Sequence, residues 1–220
     1  MQPERAVLFD LDGTLVDTER ENVESVVLAA RRWRVELDDD LRHFIVGHSW
    51  NEIYARMRRE CGLEVEMDVL IAAAVEEKRA LFASKGYEAL PGAVELVRRL
   101  HGRAGLAVVS GSSCVEVRET IAGIGLADCF AHLLGAEDYG QGKPHPEPYL
   151  TAMRLLGVEP RRSVIIEDSE PGIRAGRAAG AKVIAVRRAN FMGYDQSAAD
   201  VVVDTLEHIS DELLDSLWQR

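Results

Sequence analysis

Residues 5–14 read Arg5-Ala6-Val7-Leu8-Phe9-Asp10-Leu11-Asp12-Gly13-Thr14, an unbroken apolar run that closes on two acids, a glycine and a threonine. A run apolar at every position, rather than at alternate ones, suits a parallel strand buried on both faces. Open α/β sheets place their ligands at the carboxyl ends of such strands. Alternation along an extended segment sends Asp10 and Asp12 the same way while Leu11 turns into the core. Gly13 permits a sharp exit that lets backbone N–H groups face a ligand. Taken alone, the pattern fits a strand end with a solvated acidic turn equally well.

Working outward, the same form recurs at 106–110, 163–168 and 182–186, with a fifth short run at 201–203. From about residue 90 these runs alternate with helical segments, which predicts βαβ units and a parallel sheet. Residues 17–87 differ: they hold no convincing strand and several helix starts. Thr18-Glu19-Arg20-Glu21 and Ser49-Trp50-Asn51-Glu52 have the form of capping boxes, and 66–84 is alanine-rich and helical in character. Pro91-Gly92 marks the return, with Pro91 placed to open the next helix. The predicted architecture is therefore α/β: a Rossmann-like parallel-sheet core from 1–16 and 88–220, carrying an inserted all-helical cap at 17–87.

Composition narrows the function. The chain has 220 residues, 47% hydrophobic and 29% charged, as expected of a globular protein with a sizeable core. A net charge of −11 argues against nucleic acid, which needs a basic face. No apolar run approaches the ~18 residues of a membrane span. Cys61, Cys114 and Cys129 show no metal-ligand spacing and read as free thiols. With no targeting pattern ahead of the first strand, a cytoplasmic location is expected.

Three more strand ends carry chemistry. Ser110 ends the second run, and Gly111-Ser112-Ser113 leads into a helix whose amides can meet an anion. Lys143 is the one cation of the loop Gly140-Gln141-Gly142-Lys143-Pro144-His145-Pro146. Glu167-Asp168 ends another run, and Ser169 caps the helix beyond it. Two like charges ~4 Å apart repel by roughly 4 kcal/mol at an effective dielectric of about 20. Gathering Asp10, Glu167 and Asp168 therefore calls for a divalent cation, and oxygen-only ligands suit Mg²⁺.

The set Asp10-x-Asp12-Gly13-Thr14-Leu15-Val16-Asp17-Thr18, Ser110, Gly142-Lys143-Pro144 and Glu167-Asp168-Ser169-x-x-Gly172 resembles the haloacid dehalogenase superfamily. More narrowly it is similar to the branch with a helical cap after the first strand, home to β-phosphoglucomutase-like enzymes and phosphoglycolate-type phosphatases. The resemblance spans nearly the whole chain. It implies Asp10 as a nucleophile that becomes an aspartyl phosphate, and Asp12 as the general acid and later base. It also implies Ser110, Gly111 and Lys143 at the phosphate, with Thr14 orienting loop and phosphate. Mg²⁺ would be held by Asp10, the Asp12 carbonyl and Asp168, with Glu167 a ligand directly or through its neighbours. The implied activity is a Mg²⁺-dependent phosphatase of a small phosphomonoester such as a sugar phosphate. The alternative is a β-phosphoglucomutase-type phosphosugar mutase. Mutases of this branch carry arginine after a cap Gly-x-Ser, where this chain has Trp50 in Gly47-His48-Ser49-Trp50. Lys78 or Arg79 could stand in for that cation. Since the strand ends are taken up by phosphate, metal and acids, His48, Ser49, Trp50 and Asn51 are expected to read the substrate, although Trp50 also suits packing between helices.

Overall fold

The computed structural model describes residues 3–46, 48–187, 193 and 195–218. The chain forms two compact units, Met1–Asp17 with Glu88–Arg220, and Thr18–Tyr87.

In the first unit the apolar runs are strands: β1 Ala6–Phe9, β2 Gly105–Val109, β3 His132–Leu134, β4 Ser163–Glu167, β5 Lys182–Val186 and β6 Val201–Val203. They make one parallel sheet of order β3-β2-β1-β4-β5-β6. Strand β3 was not legible in the sequence, because three residues at a sheet edge, the first a half-buried histidine, give no apolar run. Residues of β1 alternate between two layers. Val7 and Phe9 pack with α5 (Ala93–Leu100), α6 (Cys114–Gly123) and α9 (Asp211–Trp218). Ala6 and Leu8 pack with α7 (Glu147–Leu156) and α8 (Glu170–Ala178). Helices thus cover both faces, which is why the central strands are apolar throughout.

Chain order runs outward from β1 in both directions, through β2 to β3 on one side and β4 to β6 on the other. The switch point at β1 is where such sheets open a crevice. Pairing is level across it: Phe9 lies beside Val108 and Ile166. The next residues along, Asp10, Val109 and Glu167, therefore stand side by side.

The second unit holds α1 Glu19–Arg31, α2 Asp39–Ile45, α3 Trp50–Cys61 and α4 Met67–Lys85 around Val27, Ala30, Leu41, Met57 and Leu70. Ser49 forms a full capping box with Glu52. Thr18 does not: its side chain makes no cap bond, and Glu21 instead pairs with Lys85. Pro91 stands outside the helix it was expected to open, for Gly92, at φ 83°, precedes Ala93. The closing segment breaks at a short turn of 3₁₀ helix, Leu206–His208, before α9. Gly47, ahead of His48 and Ser49, lies outside the described residues. Among the described residues no helix is long and apolar enough to cross a membrane.

Candidate active site

Level strand ends bring the sequence-separated acids together, and the loop before α7 adds the cation. Lys143 Nζ donates to Asp10 Oδ1 at 2.5 Å, Glu167 Oε1 at 2.7 Å and the Val109 carbonyl at 3.1 Å. The loop is tied to its own helix, as the Gly140 and Gln141 amides donate to the Glu147 carboxylate. The Lys143–Pro144 peptide bond is cis.

Glu167 is 0% exposed and its two oxygens accept five hydrogen bonds. Oε1 takes Lys143 and the Tyr149 hydroxyl, the latter at 2.9 Å. Oε2 takes the amides of Asp168 and Ser169 and the Ser169 hydroxyl. Burial opposes its charge, but Lys143 and these donors outweigh burial and hold its pKa below the ordinary value. The carboxylate fills the space above Gly172, where a Cβ would lie 1.6 Å from Oε1, so only glycine fits there.

Asp10 is supported differently. Burial is the largest influence and pushes its carboxyl up to about 8, although Lys143 pulls the other way; Glu167 and Asp12 add repulsion. Burial also disfavours the Lys143 ammonium, yet Asp10 and Glu167 raise its pKa well above the ordinary value. One cation thus serves two buried acids, and Asp168 brings a third. Carboxylate oxygens of Asp10, Glu167 and Asp168 lie within 4.8 Å of one another. The donors are hard oxygens and the negative charge is under-compensated, which fits a divalent cation such as Mg²⁺.

Around this centre Asp12 Oδ2 accepts from the hydroxyls of Ser110 at 3.1 Å and Ser112 at 2.9 Å. Gly111 between them is exposed. Thr14 is fully buried and spends its hydroxyl proton on Asp168 Oδ1 at 3.0 Å, which makes it a support for that acid. Gly13, at φ 81°, lets the turn pass Asp168, since a Cβ there would come within 2.7 Å of Oδ2. The side chains of Tyr149, Ser112 and Gln196 also reach the centre, and no sequence signal marked those side chains for it. Gln196 is buried and its side-chain amide joins the Asp168 and Val186 carbonyls at the ends of β4 and β5. It belongs to no motif, and Tyr149 sits on a helix face that reads as core. Burial, then Asp138, raises the Cys114 thiol to about 11, consistent with a packed, unreactive cysteine.

Within the helical unit, Ser49 Oγ donates to the Glu52 carboxylate at 2.7 Å and accepts from the Glu52 amide. Trp50 packs against that unit's core, and His48 stacks on Phe44 with ring centroids 3.7 Å apart. His48 and Asn51 are exposed. Lys78 is half-buried and Arg79 exposed on α4.

A doubly wound parallel sheet with acids at the ends of β1 and β4, a hydroxyl beyond β2 and a lysine bridging the acids defines an α/β enzyme with an acidic, cation-braced centre. The chain belongs to the haloacid dehalogenase-like hydrolase family, whose sequence profile matches residues 7–186. It is 34% identical to hexitol phosphatase A of Escherichia coli over 94% of this chain and 93% of that protein. It is 32% identical to the bifunctional riboflavin kinase/FMN phosphatase of Arabidopsis thaliana over 91% of this chain, which spans about half, 53%, of that longer protein. Among solved structures, CbbY from Rhodobacter sphaeroides in complex with phosphate superposes with a TM-score of 0.86 at 25% identity, covering 96% of this chain and 99% of that one.

Proposed function

We propose that the protein is a Mg²⁺-dependent phosphatase that hydrolyses a small phosphomonoester, a sugar phosphate or similar metabolite, through an aspartyl phosphate. The observation that carries this reading is the Asp10 carboxylate, held by Lys143 at 2.5 Å, among acids whose oxygens lie within 4.8 Å. Relatives named as phosphatases support it, hexitol phosphatase A and the FMN phosphatase among them.

In this reading the sheet-bearing part, 1–16 and 88–220, is the catalytic core and 17–87 the cap. Asp10 attacks phosphorus while Asp12 gives its proton to the departing alcohol oxygen. Asp12 then takes a proton from the water that attacks the phosphorus and releases phosphate from Asp10. Ser110, the Gly111 amide and Lys143 bind the phosphoryl oxygens, and Thr14 orients Asp168. Asp10, the Asp12 carbonyl and Asp168 would hold Mg²⁺, which screens the charge of acids and phosphate. Glu167, with five hydrogen bonds already on its oxygens, anchors Lys143 and acts on the metal through its neighbours. Substrate choice is assigned to 48–51, and within it to His48 and Asn51, because Ser49 and Trp50 are used in capping and packing. A cytoplasmic location is supported by three cysteines that are all free.

The test is phosphate release from hexitol phosphates, fructose 1-phosphate, phosphoglycolate and FMN, with Mg²⁺ and with EDTA. Release that chelation abolishes and Mg²⁺ restores is the expected result. Isomerisation of a hexose 1-phosphate without net release would replace it with the mutase, and a rate indifferent to chelation would refute the metal.

A further inference from the structure

We propose that Tyr149 is a positioning residue for the phosphoryl centre, acting through Glu167 on Lys143; this deepens the phosphatase reading and rests on it. Tyr149 is 0% exposed on α7, and its layer is otherwise lined by aliphatic residues such as Ala152, Met153 and Ile173. Its hydroxyl puts a polar group into that largely apolar layer, and it is aimed at a charged oxygen.

Lys143 has three protons, and Asp10, Glu167 and the Val109 carbonyl take all three. An arriving phosphoryl oxygen must displace one of them. The bond to the Val109 carbonyl, at 3.1 Å, is the longest and goes to a neutral acceptor, so it is the one to yield. That exchange needs the ammonium to stay between the two acids while it turns. Two features hold it there from behind. Glu167 Oε1 is shared, with Lys143 at 2.7 Å and the Tyr149 hydroxyl at 2.9 Å. The Tyr149 ring also backs the ammonium, 4.9 Å from ring centroid to Nζ.

Glu167 cannot turn to compensate for a lost partner. Its other oxygen is pinned by three donors, and its carboxylate occupies the space that a Cβ at Gly172 would take. Without the tyrosine hydroxyl, Oε1 has Lys143 as its one remaining donor and draws the ammonium toward itself, away from Asp10 and the phosphate. Tyr149 thereby keeps the lysine shared between the acids.

Tyr149→Phe keeps the ring and the volume and removes only the hydroxyl. With Mg²⁺ present, calorimetry should find inorganic phosphate bound about tenfold more weakly, the scale of one hydrogen bond to a charged group. The turnover number should fall by a similar factor, with the ranking among substrates unchanged, because the effect acts on the phosphoryl group and not on the leaving group. Binding stoichiometry counts folded sites, so partial unfolding is separated from weaker binding. Unchanged phosphate affinity and turnover per folded site, with only a lower Tm, would make Tyr149 a packing residue and overturn the proposal. A wild-type protein that binds phosphate but releases none from any ester would refute the phosphatase reading, while the affinity comparison still decides Tyr149. Wild-type protein that does neither would overturn both.

Discussion

Asp10 and Glu167 are carboxylates of similar burial that the protein treats in opposite ways. Glu167 is met by five donors and is stabilised as an anion, whereas Asp10 has Lys143 and an uncompensated desolvation cost. A carboxylate left short of partners keeps lone pairs available for a metal or for phosphorus, whereas one covered with donors is suited to anchoring. The pH consequence follows from the sign of the shift. Asp10 has an ordinary value of 3.8 and about 8 in the folded, metal-free protein. Its contribution to stability is full below 3.8 and is lost as pH rises through about 8, at up to about 1.4 kcal/mol per pH unit for one proton. Asp10→Asn has no such proton to lose. In EDTA its Tm advantage over wild type should therefore widen between pH 5 and pH 8.5, as scanning calorimetry would report. The same variant should lose essentially all phosphatase activity, because an amide does not attack phosphorus. A constant Tm difference across that range would show that Asp10 is ionised throughout, and residual turnover above about a tenth would sink its role.

At the level of elements, helix ends explain both a success and a failure of pattern reading. Ser49-x-x-Glu52 and Ser113-x-x-Glu116 form complete boxes, each serine accepting from the backbone amide three residues on. Thr18-x-x-Glu21 has the same letters, but there Lys85 on α4 takes Glu21 for an ion pair. At this helix start the buried acid is taken by a charge from a distant part of the chain and not by the local cap. The first turn of α3 also carries Trp50, packed on the helical core. Trp50→Ala should cost a few kcal/mol of stability, as truncation of a buried aromatic does, so that the Tm falls and all substrates slow by similar factors. A change in the ranking of kcat/KM among substrates, without loss of Tm, would instead make its indole a substrate contact.

For the molecule as a whole, the acids are assembled by sheet order. β1 stands between β2 and β4, so residues 10, 110, 167 and 168 reach one crevice although 158 positions separate the first from the last. Folding must bring like charges together there, and a bound divalent cation should favour the folded state. At a Mg²⁺ concentration 100 times its dissociation constant the gain is about 2.7 kcal/mol, or roughly 5–10 °C in Tm for a domain of this size. Asp168→Asn should abolish most of that rise, and Ca²⁺ should reproduce the rise while inhibiting turnover, its looser coordination holding the site in an unproductive form. Thermal melts with EDTA, Mg²⁺ and Ca²⁺ measure this directly; equal melting in all three would remove the metal from the site.

The sequence by itself determined which residues end the strands and what chemistry they bring. Continuous apolar runs and the turn residues behind Asp10, Ser110 and Glu167 are local signals, set by burial of a few neighbouring side chains and by backbone freedom at glycine. The helical character of 17–87 was legible for the same reason. Only the tertiary structure decided how those ends are combined. The level register of β1 with β4, the edge strand β3, the sharing of Lys143 between two acids, the full donor set on Glu167 and the reach of Tyr149 and Gln196 into the centre are contacts between distant positions. No local pattern encodes them, because each depends on which elements become neighbours, and that is settled by packing of the whole sheet.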